Sequence, residues 1–118
     1  MYSEVLLDHF RNPRNVGELP PPAVTVEVTN PACGDILRLS ASFENERVSK
    51  VRYKVRGCTA SIAAGSAMTV WILGKSRREL EMLRPAEIEA ALDGLPAESH
   101  HAAVLCVEGV HELLKPST

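Results

Sequence analysis

Polar and apolar residues alternate along three stretches of this chain. Val24, Val26 and Val28 interleave with Thr25, Glu27 and Thr29. Leu37, Leu39, Ala41 and Phe43 interleave with Arg38, Ser40 and Ser42, and Val51, Tyr53 and Val55 with Lys50, Arg52, Lys54 and Arg56. A period of two with one polar face predicts an antiparallel sheet wet on one side. Glu44-Asn45-Glu46 is short enough to be the hairpin turn between the second and third strands. Elsewhere the period is helical. Val5, Leu6 and Phe10 place a helix over Tyr2–Arg11, stopped by Asn12-Pro13 and Gly17. Leu19-Pro20-Pro21-Pro22 reads as an extended connector. Ile62, Ala63, Met68, Trp71 and Ile72 predict a helix from Thr59 to Leu73 closed by Gly74. A weaker helical stretch covers Arg77–Leu92, interrupted at Pro85, and Gly94-Leu95-Pro96 resets the chain. A last helix runs from Ala97 to Leu114, with Pro96 before it and Pro116 beyond it. Strands and helices are segregated, so the expected fold is α+β: a three-stranded antiparallel sheet with helices packed on one face.

The length of 118 residues fits a single domain spanning 1–118. Apolar residues make up 45% and charged ones 24%, which is ordinary for a soluble globular protein. The net charge of −2 gives no basic excess to draw nucleic acid or a membrane surface. Met1-Tyr2-Ser3-Glu4 does not start like a signal peptide, and no apolar run reaches the roughly 18 residues of a membrane span. Three cysteines, Cys33, Cys58 and Cys106, are an odd count that argues against a disulfide framework and for reduced thiols in the cytoplasm. No Ser/His/Asp arrangement, phosphate loop or paired carboxylates point to an enzyme, and Asp8-His9 reads as a solvated face or partner surface.

The chemistry concentrates in a few places. Asn30-Pro31-Ala32-Cys33-Gly34-Asp35 sets a thiol two residues from a carboxylate. In an extended segment those side chains point the same way, and Gly34 keeps the space between them clear. Thiolate suits iron–sulfur clusters, zinc and copper(I), whereas carboxylate suits harder ions, so the pair suits a metal that must later leave. The hexapeptide reads equally as a buried cysteine beside a turn-forming Gly-Asp. Cys58 follows Gly57 where a strand gives way to a helix, and the helix N-terminus suits an anionic sulfur. It reads alternatively as a small residue at a crowded junction. His100 and His101 diverge by about 100° on the last helix, so at most one faces a given site. Cys106 shares the apolar stripe of that helix with Ala102, Leu105, Gly109, Val110 and Leu113, and reads as a small core hydrophobe.

Several separated motifs, in order, resemble the IscU/NifU-type iron–sulfur cluster assembly scaffolds over nearly the whole chain. They are Asp8-His9-Phe10-Arg11-Asn12-Pro13-Arg14-Asn15-Val16-Gly17, Pro31-Ala32-Cys33-Gly34-Asp35, Gly57-Cys58 with Ile62-Ala63 and Ser66, then Thr69, Trp71, Gly74-Lys75 and Leu95-Pro96. The resemblance implies an IscU/SufE-like fold and a non-enzymatic scaffold. Three cysteines and an aspartate would surround a transient [2Fe–2S] cluster built with sulfur from a cysteine desulfurase and passed to apo iron–sulfur proteins. Cys33, Asp35 and Cys58 match three of those four positions. Counted from Leu95-Pro96 without a gap, the family's His falls on His101 and its third cysteine on Ala102. Sliding the register by four residues would bring in Cys106 but displace the helix by about one turn, roughly 6 Å. The ligand set implied is therefore Cys33, Asp35, Cys58 and His101. Leu95-Pro96-Ala97-Glu98-Ser99 lacks the family's Pro-Val-Lys, so the dedicated chaperone pair is not carried over as a partner, and Thr59 replaces a glycine. Two rival readings share these residues: a zinc-bound, SufU-like acceptor of persulfide sulfur, and a degenerate family member that binds partners without metal.

Overall fold

The computed structural model describes residues 1–31 and 34–116. Strands β1 (Val24–Thr29), β2 (Ile36–Glu44) and β3 (Arg47–Arg56) form one sheet in the order β1-β2-β3, antiparallel throughout. Asn45 and Glu46 both take positive φ, 53° and 65°, and turn the β2–β3 hairpin tightly enough to match the twist of its strands. A bulge between Ser42 and Phe43 breaks the register: Ser42 faces Lys50, but Phe43 faces Val48. It leaves Val48 and Val51 both buried although three residues apart, a step that strict alternation forbids.

The helices lie over the apolar face of the sheet. Helix α1 (Glu4–Arg11) starts two residues later than its apolar spacing suggests, because Ser3 caps it: the Ser3 hydroxyl accepts from the Leu6 N–H at 3.0 Å. Of its four apolar residues, Val5, Leu6, Leu7 and Phe10, only Leu6 is buried, because α1 packs chiefly along one helix and not on the sheet. Leu19–Pro22 does not run straight on as an extended connector. Ala23 N–H donates to Pro20 O at 3.2 Å and closes a turn, in which proline presets φ.

Helix α2 (Thr59–Ile72) is central, touching α1, β3 and two of the three later helices. Its Ala, Gly, Ser and Thr positions are nearly all buried, and their small size lets the neighbours close in. Gly65 shows the limit, since a Cβ there would sit 2.4 Å from Cε2 of Tyr53. The Arg77–Leu92 stretch is two helices, α3 (Arg77–Glu81) and α4 (Pro85–Ala91). Each has its own stop and start: Ser76 and Glu79 exchange capping hydrogen bonds, and Pro85 opens α4 where its missing N–H costs nothing. A short 3₁₀ turn (Ala97–Ser99) leads into α5 (His100–Leu113). On α5 the expected stripe of Ala102, Leu105, Cys106, Gly109, Val110 and Leu113 is buried. Among the described residues no helix is long and apolar enough to cross a membrane.

The N-terminal motif fastens this arrangement. Beyond α1 the chain lies beside β3, where Tyr53 N–H donates to Asn15 O and Gly17 N–H to Tyr53 O, both at 2.9 Å. The Ser66 hydroxyl, fully buried on α2, accepts from Arg14 N–H at 2.9 Å and pairs with His9 Nδ1 at 2.7 Å. Asn15 Nδ2 donates to Thr69 Oγ1 at 3.1 Å. His9 is thus half-buried against α2 and is not a solvated face; Asp8 is exposed and pairs with Arg14 at 2.6 Å.

Candidate metal centre

Three chain segments meet at one end of the sheet. The β1–β2 connection closes through Asn30 N–H to Asp35 O at 2.8 Å and Gly34 N–H to Asn30 O at 2.7 Å, with Gly34 at φ +78°. A positive φ is open to glycine without steric cost, so the chain can deliver Asp35 just before β2 begins. Asp35 is 6% exposed. Its carboxylate lies against Gly57, where a Cβ would come within 2.6 Å of Asp35 Cγ. Gly57 is therefore a spacer between β3 and α2 that admits the carboxylate.

Cys58 follows as the exposed N-cap of α2. Its sulfur lies 3.6 Å from Asp35 Oδ2 and 3.8 Å from His101 Nε2, and His101 Nε2 lies 3.7 Å from Asp35 Oδ2. Asp35, Cys58 and His101 thus bring a sulfur, a nitrogen and an oxygen within 4.8 Å of one another. A tetrahedral ion with bonds of about 2.0–2.3 Å spans such donors at edges of roughly 3.3–3.6 Å. The observed edges are slightly longer, so the donor set fits a single ion after a contraction of a few tenths of an ångström.

Of the expected site residues, Asp35, Cys58 and His101 come together, and Cys33 lies outside the described residues. One histidine of the pair faces the site, as divergence on a helix requires: His101 does, and His100 Nδ1 turns to Glu89 Oε2 on α4 at 3.2 Å. Cys106 is 1% exposed in the core, where burial pushes its thiol up to about 12. Ala102 is fully buried beside it in the chain's apolar stripe.

Sequence reasoning missed two members of the site, Gly57 as a spacer and Ser61. The Ser61 hydroxyl donates to Asp35 Oδ2 and lies 3.3 Å from Cys58 Sγ. The signal for Ser61 was present, because residues three apart share a helix face and Cys58-Thr59-Ala60-Ser61 opens α2.

An α+β fold that gathers S, N and O donors at the sheet's end offers what a metal- or cluster-handling protein would need. The sequence matches the NifU-like N terminal domain family over residues 1–115, and the chain belongs to that family. It is 37% identical over 116 residues to the iron–sulfur cluster assembly scaffold protein IscU of Aquifex aeolicus (strain VF5), covering 97% of this chain and 74% of that one. It is 34% identical over 113 residues to the scaffold protein of the same name from Escherichia coli (strain K12), covering 92% and 88%. Among solved structures, it is similar to a candidate iron–sulfur cluster assembly scaffold protein for the SUF system from thermophilic Fervidobacterium islandicum AW-1. That match has a TM-score of 0.82 at 24% identity and covers 97% of this chain and 96% of the other.

Proposed function

We propose that this protein is a non-enzymatic scaffold and carrier that holds a nascent [2Fe–2S] cluster, or the iron that precedes it, and passes it to apo-proteins. Cys33, Asp35, Cys58 and His101 are its ligands, with Cys33 assigned from its place two residues before Asp35 in the family motif. The observation that carries the reading is the convergence of Asp35, Cys58 and His101 at 3.6–3.8 Å. Two thiolates grip a soft metal, and the carboxylate and imidazole make the set more labile than one of thiolates alone. A cysteine desulfurase supplies sulfur, and the setting is cytoplasmic.

A second reading has its own support. Three donors converging on one point suit a single ion, and zinc accepts N, O and S ligands in a tetrahedron. In that case the exposed Cys58 thiolate accepts persulfide: it attacks the outer sulfur of the desulfurase persulfide, forms Cys58–S–SH, and releases the desulfurase thiolate. Anaerobic reconstitution with ferrous iron and sulfide separates the readings. The scaffold predicts thiolate-to-iron charge-transfer absorption that Cys58→Ser abolishes. Stoichiometric zinc that resists chelation and blocks reconstitution overturns the scaffold in favour of the sulfur acceptor. Absence of both metals from protein purified without oxygen overturns both readings and leaves a partner-binding family member without metal.

A further inference from the structure

Ser61 is a fully buried polar side chain in the first turn of α2. A buried hydroxyl has to find partners, and a serine within a helix commonly bonds back to the carbonyl one turn earlier. Ser61 does not spend its proton that way; it donates to Asp35 Oδ2. That is the same oxygen that faces Cys58 Sγ at 3.6 Å and His101 Nε2 at 3.7 Å. The acceptor is a carboxylate, so the bond belongs to the stronger, charge-assisted kind. With its proton committed, the Ser61 oxygen still lies 3.3 Å from Cys58 Sγ. One hydroxyl therefore touches two of the three converging donors, from the side opposite solvent.

Asp35 is held from two directions. The bare Gly57 Cα lets the carboxylate approach, and Ser61 fixes which oxygen points at the thiol and the imidazole. We infer that Ser61 is a positioning residue for metal: through its bond to Asp35 it presets the carboxylate for coordination together with Cys58 and His101. It is not itself a ligand. This rests on the metal-centre reading above and adds to it the group that orients the hard ligand. Partners of this kind, hydrogen-bonded to a ligating carboxylate, commonly carry about 10–100-fold of the affinity for the metal.

The test is a zinc titration of the full chain against a chromogenic chelator, in wild type, Ser61→Ala, Asp35→Ala and the double variant. Alanine is the best helix former and leaves only a hydroxyl-sized change at position 61, so the variant is expected to fold, which far-UV circular dichroism checks. Ser61→Ala is expected to weaken zinc binding at least about tenfold. In the Asp35→Ala background the same change is expected to cost little, because the group through which Ser61 acts is gone. Wild-type affinity in Ser61→Ala overturns the inference, and so does an equal loss in both backgrounds, which would mark a packing effect independent of Asp35. Failure of the wild type to bind zinc at all overturns this inference and the zinc-bound sulfur-acceptor reading, and leaves the scaffold to the iron and sulfide reconstitution. Wild-type binding insensitive to Ser61 overturns only the inference.

Discussion

Gly57→Ala probes the geometry of the centre with one methyl group. Gly57 is exposed and its φ is not in the left-handed region, so alanine is tolerated by the backbone there. The new Cβ would nonetheless lie 2.6 Å from Asp35 Cγ and 2.8 and 2.9 Å from its two oxygens. The first of these is about 0.8 Å inside the 3.4 Å at which ordinary contact begins. The carboxylate must yield, and a shift of that size breaks edges now at 3.6 and 3.7 Å. Metal sites tolerate departures of about 0.2 Å from their bond lengths, so affinity is expected to fall tenfold or more, about 1.4 kcal/mol. The metal-free fold is expected to hold, because replacing glycine at a compatible backbone position stabilises by about 0.4–1 kcal/mol through the unfolded chain. Cobalt(II) titration followed by its d–d and thiolate charge-transfer absorption measures the first quantity, and thermal unfolding without metal measures the second. A Gly57→Ala protein that binds cobalt with wild-type affinity would refute the claim that Gly57 makes room for the carboxylate.

Three further outcomes follow from the packing. Gly65→Ala drives a methyl to 2.4 Å from Tyr53, whose hydroxyl is held by Ile62 O at 2.7 Å, so overpacking is expected to cost about 1–3 kcal/mol in denaturant unfolding. His9 is held below its ordinary pKa by burial, and next by the Arg14 charge, so the folded state disfavours its protonation. Its contribution to stability is complete above pH 6.5 and is lost as pH falls below that value. Unfolding midpoints measured from pH 8 to 5 should therefore fall less steeply in His9→Asn than in wild type. Iodoacetamide at pH 8 should alkylate the exposed Cys58 in the native protein and spare Cys106, whose thiol is pushed up to about 12, until denaturant is added; peptide mapping reads both.

Local periodicity made the elements legible. Strict alternation placed all three strands, and Pro85 correctly marked a break between helices. The bulge at Ser42–Phe43 was not legible, because an extra residue on one strand is defined only against its partner. Burial along α1 was not legible for a related reason: Val5 and Phe10 share its apolar spacing with Leu6, but α1 lies along α2, and only Leu6 is fully covered. At the site, Asp35 and Cys58 announce themselves by residue type, whereas His101 emerges only once the family register chooses between two adjacent histidines. Gly57 stands in the family motif and Ser61 lies one helical turn beyond Cys58, but neither shows its part in sequence. Their parts depend on Asp35, 26 residues before Ser61, arriving from another segment.

The way β3 is bordered bears on how copies of this protein avoid sticking to one another. An open strand edge is a template for pairing with another chain. On β3 that edge is plugged twice by chain that is not itself a strand: Asn15 and Gly17 satisfy Tyr53, and Lys75 and Gly74 satisfy Val48 at 3.0 and 2.9 Å. The sheet's other edge is the six-residue β1. The segment around Val16 therefore serves as a guard rail against self-association, and a chain cut after Gly17 should lose that protection while keeping every residue of the centre.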